Sequence, residues 1–162
     1  MLAINRERDV WALLAAVPDP EIPIVSVTDL GMIRNVRVED DCVEVAVAPT
    51  YSGCPATEVI EDSIAAKLRD EGFANVTVRR VLSPPWTTDW ISPEGRDKLR
   101  RFGIAPPLHG SGKRSLLGKS SICCPRCGSE QTTLVSEFGS TACKASCKCD
   151  ACLEPFEYFK CI

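Results

Sequence analysis

The sequence predicts an α+β body followed by a small β tail folded around metal. Three observations predict it: a helix, strand, strand, helix, strand order in the first hundred residues, a Pro/Gly/Ser-rich break after residue 103, and a crowd of cysteines beyond that break. Of ten cysteines, only Cys42 and Cys54 precede residue 123. A chain of 162 residues with 44% hydrophobic content holds one full core plus a small satellite. The expected division is a body over 1–103, a linker over 104–121 and a cysteine-rich domain over 122–162.

The first helix is read from Val10, Leu13, Leu14 and Val17 at helical spacing, with Asn5 as its cap and Pro18 as its stop. Asp19-Pro20-Glu21-Ile22-Pro23 cannot continue it, because each proline lacks an amide donor and restricts the residue before it. This segment is an extended loop holding two carboxylates. Ile33 to Val38 and Cys42 to Ala48 alternate β-branched residues around Glu39-Asp40-Asp41 and read as a β-hairpin. Pro55 suits a first helical position, and Ile60, Ile64 and Leu68 mark one face of a second helix up to Gly72. Val76 and Val78 mark a third strand, so helices cover one face of the sheet. Trp86 to Trp90 form an aromatic loop. Ser92-Pro93 opens a short helix whose Leu99 and Phe102 are expected to pack back before Gly103.

Charge and length exclude several functions. A net charge of −3 leaves no basic surplus for a phosphate backbone, which argues against nucleic acid. The longest apolar stretch, Val10 to Val17, has eight residues and is too short to cross a bilayer. With no basic segment before it and no cleavage site after it, a signal peptide is not expected, and the chain is placed in the cytosol without a membrane partner. Ten cysteines in that compartment point to metal or redox chemistry rather than disulfides. No cofactor motif or nucleophile–base pair indicates an enzyme, since the single histidine, His109, lies in the linker.

The tail carries the strongest motif. Cys124-Pro125-Arg126-Cys127 is followed, after twenty-one residues, by Cys149-Asp150-Ala151-Cys152. Two C-x-x-C knuckles at this separation suit a tetrahedral four-sulfur site, zinc first and iron second, as in a zinc ribbon. Thr132 to Phe138 reads as a strand between them, and Phe156, Tyr158 and Phe159 supply a miniature core. Cys123, Cys143, Cys147 and Cys161 lie outside the knuckles. Cys143 and Cys161 stand as candidate ligands of a second metal or a transferable cluster, with core packing as the other reading.

In the body, Cys54 takes the expected cap of the second helix, where unpaired amides and the helix dipole favour an anion and hence a reactive thiolate. Thr50 and Ser52 lie in the same loop, and Asp19 and Glu21 are candidate oxygen ligands approaching from the first loop. Turn chemistry alone is the competing reading of Gly53-Cys54-Pro55.

These same residues carry a resemblance. Asp19-Pro20-Glu21-Ile22-Pro23, Asp29-Leu30-Gly31 and Thr50-Tyr51-Ser52-Gly53-Cys54-Pro55 resemble the iron-sulfur assembly domain, in which the cysteine matching Cys54 is the functional thiol and the Asp-Pro-Glu loop lies close to it. With Trp86-Thr87-Thr88-Asp89-Trp90, the run Ser136 to Ala145 and the run Glu154 to Cys161, the chain resembles the D-subunit family of the bacterial phenylacetyl-CoA epoxidase system. The resemblance implies an iron-sulfur-assembly-type body with a zinc-ribbon-like tail and an accessory role in aerobic phenylacetate catabolism. That role is maturing the iron-sulfur or di-iron centre of a partner, with the oxygenase and the iron-sulfur flavin reductase as partners. A structural zinc and a transient iron or iron-sulfur cluster are the implied metals. The alternative is a non-catalytic docking subunit of the complex, and a homodimer is left open.

Overall fold

The computed structural model describes residues 3–108, 110 and 122–160, with side chains from residue 6 onward. The chain divides into two compact units, Met1–Trp86 and Thr87–Ile162.

The first unit follows the order read from its sequence: α1 (Ala3–Leu14), β1 (Ile33–Glu39), β2 (Cys42–Val47), α2 (Ala56–Asp70) and β3 (Asn75–Arg80). Asn5 lies inside α1 rather than capping it. The helix tightens after Leu14 through bonds from Ala16 to Leu13 and from Val17 to Leu14, which bury Val17. β1 and β2 form the hairpin, and β3 runs parallel to β2, so α2 is the crossover that a parallel pair requires. The register places Val36 beside Val45 and Val78, and Val38 beside Val43 and Val76, on one face. Both helices pack on this sheet and on each other. Ile60, Ile64 and Leu68 of α2 are fully buried, each contributing about 1.5–3 kcal/mol. The opposite face is polar, with Glu44 between Arg37 and Thr77 in register and paired to Arg79.

The long loop between α1 and β1 is held by its own polar groups. Asp19 is buried, and its Oδ1 accepts from the amides of Glu21 and Ile22, both at 2.8 Å. Ser26 and Asp29 cap each other: the Ser26 amide donates to Asp29 Oδ2 and the Asp29 amide to Ser26 Oγ. Trp86 is buried and donates from Nε1 to the Leu30 carbonyl, closing the unit.

The second unit begins earlier than the expected boundary at 103. A 3₁₀ turn (Thr88–Trp90), α3 (Pro93–Arg101) and β4 (Ile104–Ala105) belong with the tail strands β5 (Thr132–Ser136), β6 (Lys144–Cys149) and β7 (Pro155–Phe159). The reason is β4: both its residues are buried and pair in parallel with Glu157 and Tyr158, so the expected linker opens as sheet. Residues 111–121 of that linker lie outside the described residues. Ser92 caps α3 as read, accepting from the Gly95 amide, and Leu99 packs inward. Phe102 does not; it is 61% exposed. The sheet order is β4-β7-β6-β5.

Candidate metal centre and thiol site

Both knuckles are built by backbone bonds that curl the chain around sulfur. In the first, the Cys124 amide donates to the Ser129 carbonyl and the Gly128 amide to the Cys124 carbonyl, with Gly128 at φ 75°. The second knuckle is the turn between β6 and β7. The Cys149 amide donates to the Glu154 carbonyl, the Cys152 amide lies 3.5 Å from Cys149 Sγ, and Leu153 takes φ 64° where the first knuckle has glycine. Ala105, Cys124, Cys147, Cys149 and Phe156 form the core beneath them.

The four sulfurs of Cys124, Cys127, Cys149 and Cys152 all lie within 4.8 Å of one another. Cys124 Sγ is 3.7 Å from Cys152 Sγ, and Cys127 Sγ is 3.5 Å from Cys149 Sγ. A tetrahedral ion with metal–sulfur bonds of about 2.3 Å sets its sulfurs about 3.8 Å apart, so this donor set fits one. Sulfurs this close compete for negative charge. The amides of Cys152 and Ala151, joined by the neighbouring thiols, pull Cys149 down to about 7 against burial. In Cys152 the Glu154 amide is outweighed by burial and the other three sulfurs, which push it up to about 12. A cation at the centre removes the competition by accepting all four as thiolates.

The other tail cysteines take different places. Cys147 is buried in the core opposite Phe156, and burial raises its pKa. Cys143 is buried with its Sγ 3.0 Å from Thr141 Oγ1, and its carbonyl accepts from the Lys160 amide. Among the described residues no second group of three candidate ligands forms. Cys161 and His109 lie outside the described residues.

Cys54 is half-buried ahead of α2. Its amide donates to the Tyr51 carbonyl and its carbonyl accepts from the Thr57 amide, both at 3.2 Å. The cap position is Pro55, with φ −67° and ψ −22°, so Cys54 stands one residue earlier than expected. Pro55 takes a helical φ but brings no amide donor, and the helix proper begins after it, at Ala56. Thr50 is half-buried and Ser52 exposed in the same loop. Asp19 is committed to two backbone amides. Among the described residues Cys54, Asp19 and Glu21 form no three-ligand group.

Comparison with known proteins agrees with this two-part reading. A model described as an iron-sulfur cluster assembly protein matches residues 7–79, and one described as the PaaD zinc beta ribbon domain matches residues 109–160. A protein of Escherichia coli K12 assigned as the D subunit of 1,2-phenylacetyl-CoA epoxidase is 51% identical over 161 residues, covering 99% of this chain and 96% of that one. The chain belongs to the D-subunit family of phenylacetyl-CoA epoxidase. An Fe-S protein maturation auxiliary factor of Porphyromonas gingivalis is 37% identical over 98 residues, covering 59% of this family member and 92% of its own length. Among solved structures, a DUF59 domain of unknown function from Bacillus anthracis has TM-score 0.56 and 25% identity, covering 60% of this chain and 93% of its own. A conserved hypothetical protein from Thermotoga maritima has TM-score 0.50 and 32% identity, covering 57% and 92%. The fold is thus α+β of the DUF59 kind followed by a zinc-ribbon-like region.

Sequence reasoning missed the residues that shape these sites rather than line them. Gly139 and Glu157 are examples; each stands within a run that carries the family resemblance, but no residue-type rule singles it out.

Proposed function

We propose that this member of the D-subunit family is a non-enzymatic accessory protein of phenylacetyl-CoA epoxidation in phenylacetate catabolism, acting in the cytoplasm to mature the iron-sulfur or di-iron centre of a partner protein. The observation that carries the reading is the segregation of thiols. Four cysteines complete one closed site in the tail, whereas Cys54 stands half-buried in the other unit, outside any three-ligand group among the described residues. A single thiol cannot retain a metal against a client's full ligand set. It can hold iron or a cluster only while other ligands, from the client or a second copy, complete the sphere. Such partial binding suits transfer. The 37% identity over 98 residues to a maturation auxiliary factor supports the same role.

In this reading Cys124, Cys127, Cys149 and Cys152 would hold zinc, which would supply folding energy to the tail and no chemistry. Asp19 keeps the loop before β1 in place through the Glu21 and Ile22 amides. A second reading, a docking subunit of the epoxidase, is favoured by Leu134, Val135 and Phe138, which are 51%, 66% and 67% exposed on and beside the edge strand β5. Cells lacking this chain and supplied with Cys54→Ser distinguish the two. The maturation reading predicts that epoxidase activity drops at least about tenfold while the complex still assembles. Full activity with Cys54→Ser would refute it and leave docking.

A further inference from the structure

We propose that the four-sulfur centre is also a disulfide-forming site: hydrogen peroxide converts it to two disulfides, Cys127–Cys149 and Cys124–Cys152, which expel the zinc and keep the tail folded. This rests on the zinc reading of the centre and adds a redox chemistry that the maturation reading does not use.

Two observations carry it. The sulfurs meet across the knuckles, with Cys127 Sγ 3.5 Å from Cys149 Sγ and Cys124 Sγ 3.7 Å from Cys152 Sγ. Closing either contact to a disulfide of about 2.05 Å takes only a small movement of each side chain. Each of these pairs also joins an exposed cysteine to a buried one: Cys127 and Cys152 are exposed, whereas Cys124 and Cys149 are buried. The exposed member is open to a small oxidant and the buried member is held beside it, the arrangement of an attacked thiol and its resolving thiol.

Hydrogen peroxide alone balances the reaction. The Cys127 thiolate attacks one peroxide oxygen, the O–O bond breaks, and a sulfenic acid and a hydroxide result. The Cys149 thiolate then attacks the Cys127 sulfur, forming the S–S bond and displacing a second hydroxide. Two electrons have passed from the two sulfurs to one peroxide. Cys152 and Cys124 repeat the sequence with a second peroxide, and a centre without thiolates has no hold on a divalent cation.

The crossed pairing matters because of what it closes. Its members lie 22 and 28 residues apart, whereas a disulfide inside either C-x-x-C closes only the knuckle itself. In the chain-entropy view, stabilisation by a disulfide grows with the loop it closes. Crossed disulfides tie the first knuckle to the β6–β7 turn, as a metal would, over the same small core of Ala105, Cys147 and Phe156. They replace the ion as the staple of a small fold.

Peroxide titration of the zinc-loaded full chain tests this, with released zinc read by a chromogenic chelator, disulfides by mass spectrometry and folding by hydrogen exchange. Trypsin cuts after Arg126 and Lys148 and leaves Cys149 and Cys152 on one peptide. Crossed pairing joins that peptide to those carrying Cys124 and Cys127; pairing within the knuckles leaves it unlinked. The proposal predicts the joined species, about one zinc released for about two peroxides, and protection in β6 and β7 at least about tenfold above that of reduced chain stripped by a chelator. Disulfides within the knuckles, no disulfide among the four cysteines, zinc retained after oxidation, or protection lost to the level of the stripped chain would each overturn it. A chain that takes up no zinc yet forms the crossed disulfides and keeps its protection would refute the zinc reading alone and support the pairing.

Discussion

Gly139 and Leu153 are constrained for opposite reasons. At Gly139 the constraint is space: a Cβ would lie 2.8 Å from Glu157 Oε1 and 3.2 Å from Lys144 Cβ. Gly139→Ala is expected to push Glu157 off the Ser140 amide and lower the stability of the zinc-loaded tail by about 1–3 kcal/mol, read as a shift in its denaturant midpoint. At Leu153 the constraint is the backbone, since φ 64° is costly for a leucine and its side chain is exposed. Leu153→Gly relieves that cost and is expected to leave the tail unchanged or stabilise it by up to about 1 kcal/mol in the same measurement. Neither was legible from residue types. The knuckle cysteines announced themselves by spacing, but a glycine that only makes room for a side chain eighteen residues on leaves no local signal.

Among the elements, the β5–β6 connection is organised by β7 through one carboxylate. Glu157 Oε1 accepts from the Ser140 amide at 2.7 Å, and its other oxygen lies 3.2 Å from the buried Lys144 Nζ. Lys160 donates to the Glu137 carbonyl and sits 4.7 Å from the Phe138 ring centre. Burial pushes Glu157 up, but the Ser140 amide and hydroxyl and the Lys144 ammonium outweigh it, so its carboxyl titrates below the ordinary glutamate range. A folded-state pKa below the unfolded one contributes stability above the unfolded value and loses it as pH falls through the folded value. Glu157→Gln should therefore destabilise the tail by about 1–3 kcal/mol at neutral pH, and the difference from wild type should shrink as acid protonates the wild-type carboxyl. A constant difference across that titration would contradict this.

The same element shows how cysteine misleads sequence reading. In β6, Ala145, Cys147 and Cys149 alternate inward as any strand does, and all three are buried. The period of two is present, but cysteine suits both a ligand and a core position, so residue type leaves both readings open. By contrast α2, β1, β2 and β3 were legible because their inward residues are aliphatic.

At the scale of the whole molecule, two units stand on different physics. The first buries an aliphatic core between its sheet and two helices, whereas the second gathers a small cluster around four sulfurs. Removing metal with a chelator is therefore expected to abolish hydrogen-exchange protection in β6 and β7 while α2 and β2 keep theirs. Loss of protection everywhere would show that the first unit needs the metal too. The two-part design was legible from cysteine placement. The boundary was not, because it depends on two residues of β4 pairing with β7 across a composition that reads as linker.

The most direct test of the account is the metal content of the epoxidase partners purified anaerobically after expression with wild-type or Cys54→Ser chain, alongside zinc per accessory chain. The account predicts equal zinc in the two accessory chains and a clear fall in partner iron with Cys54→Ser. Equal partner iron in both would contradict it.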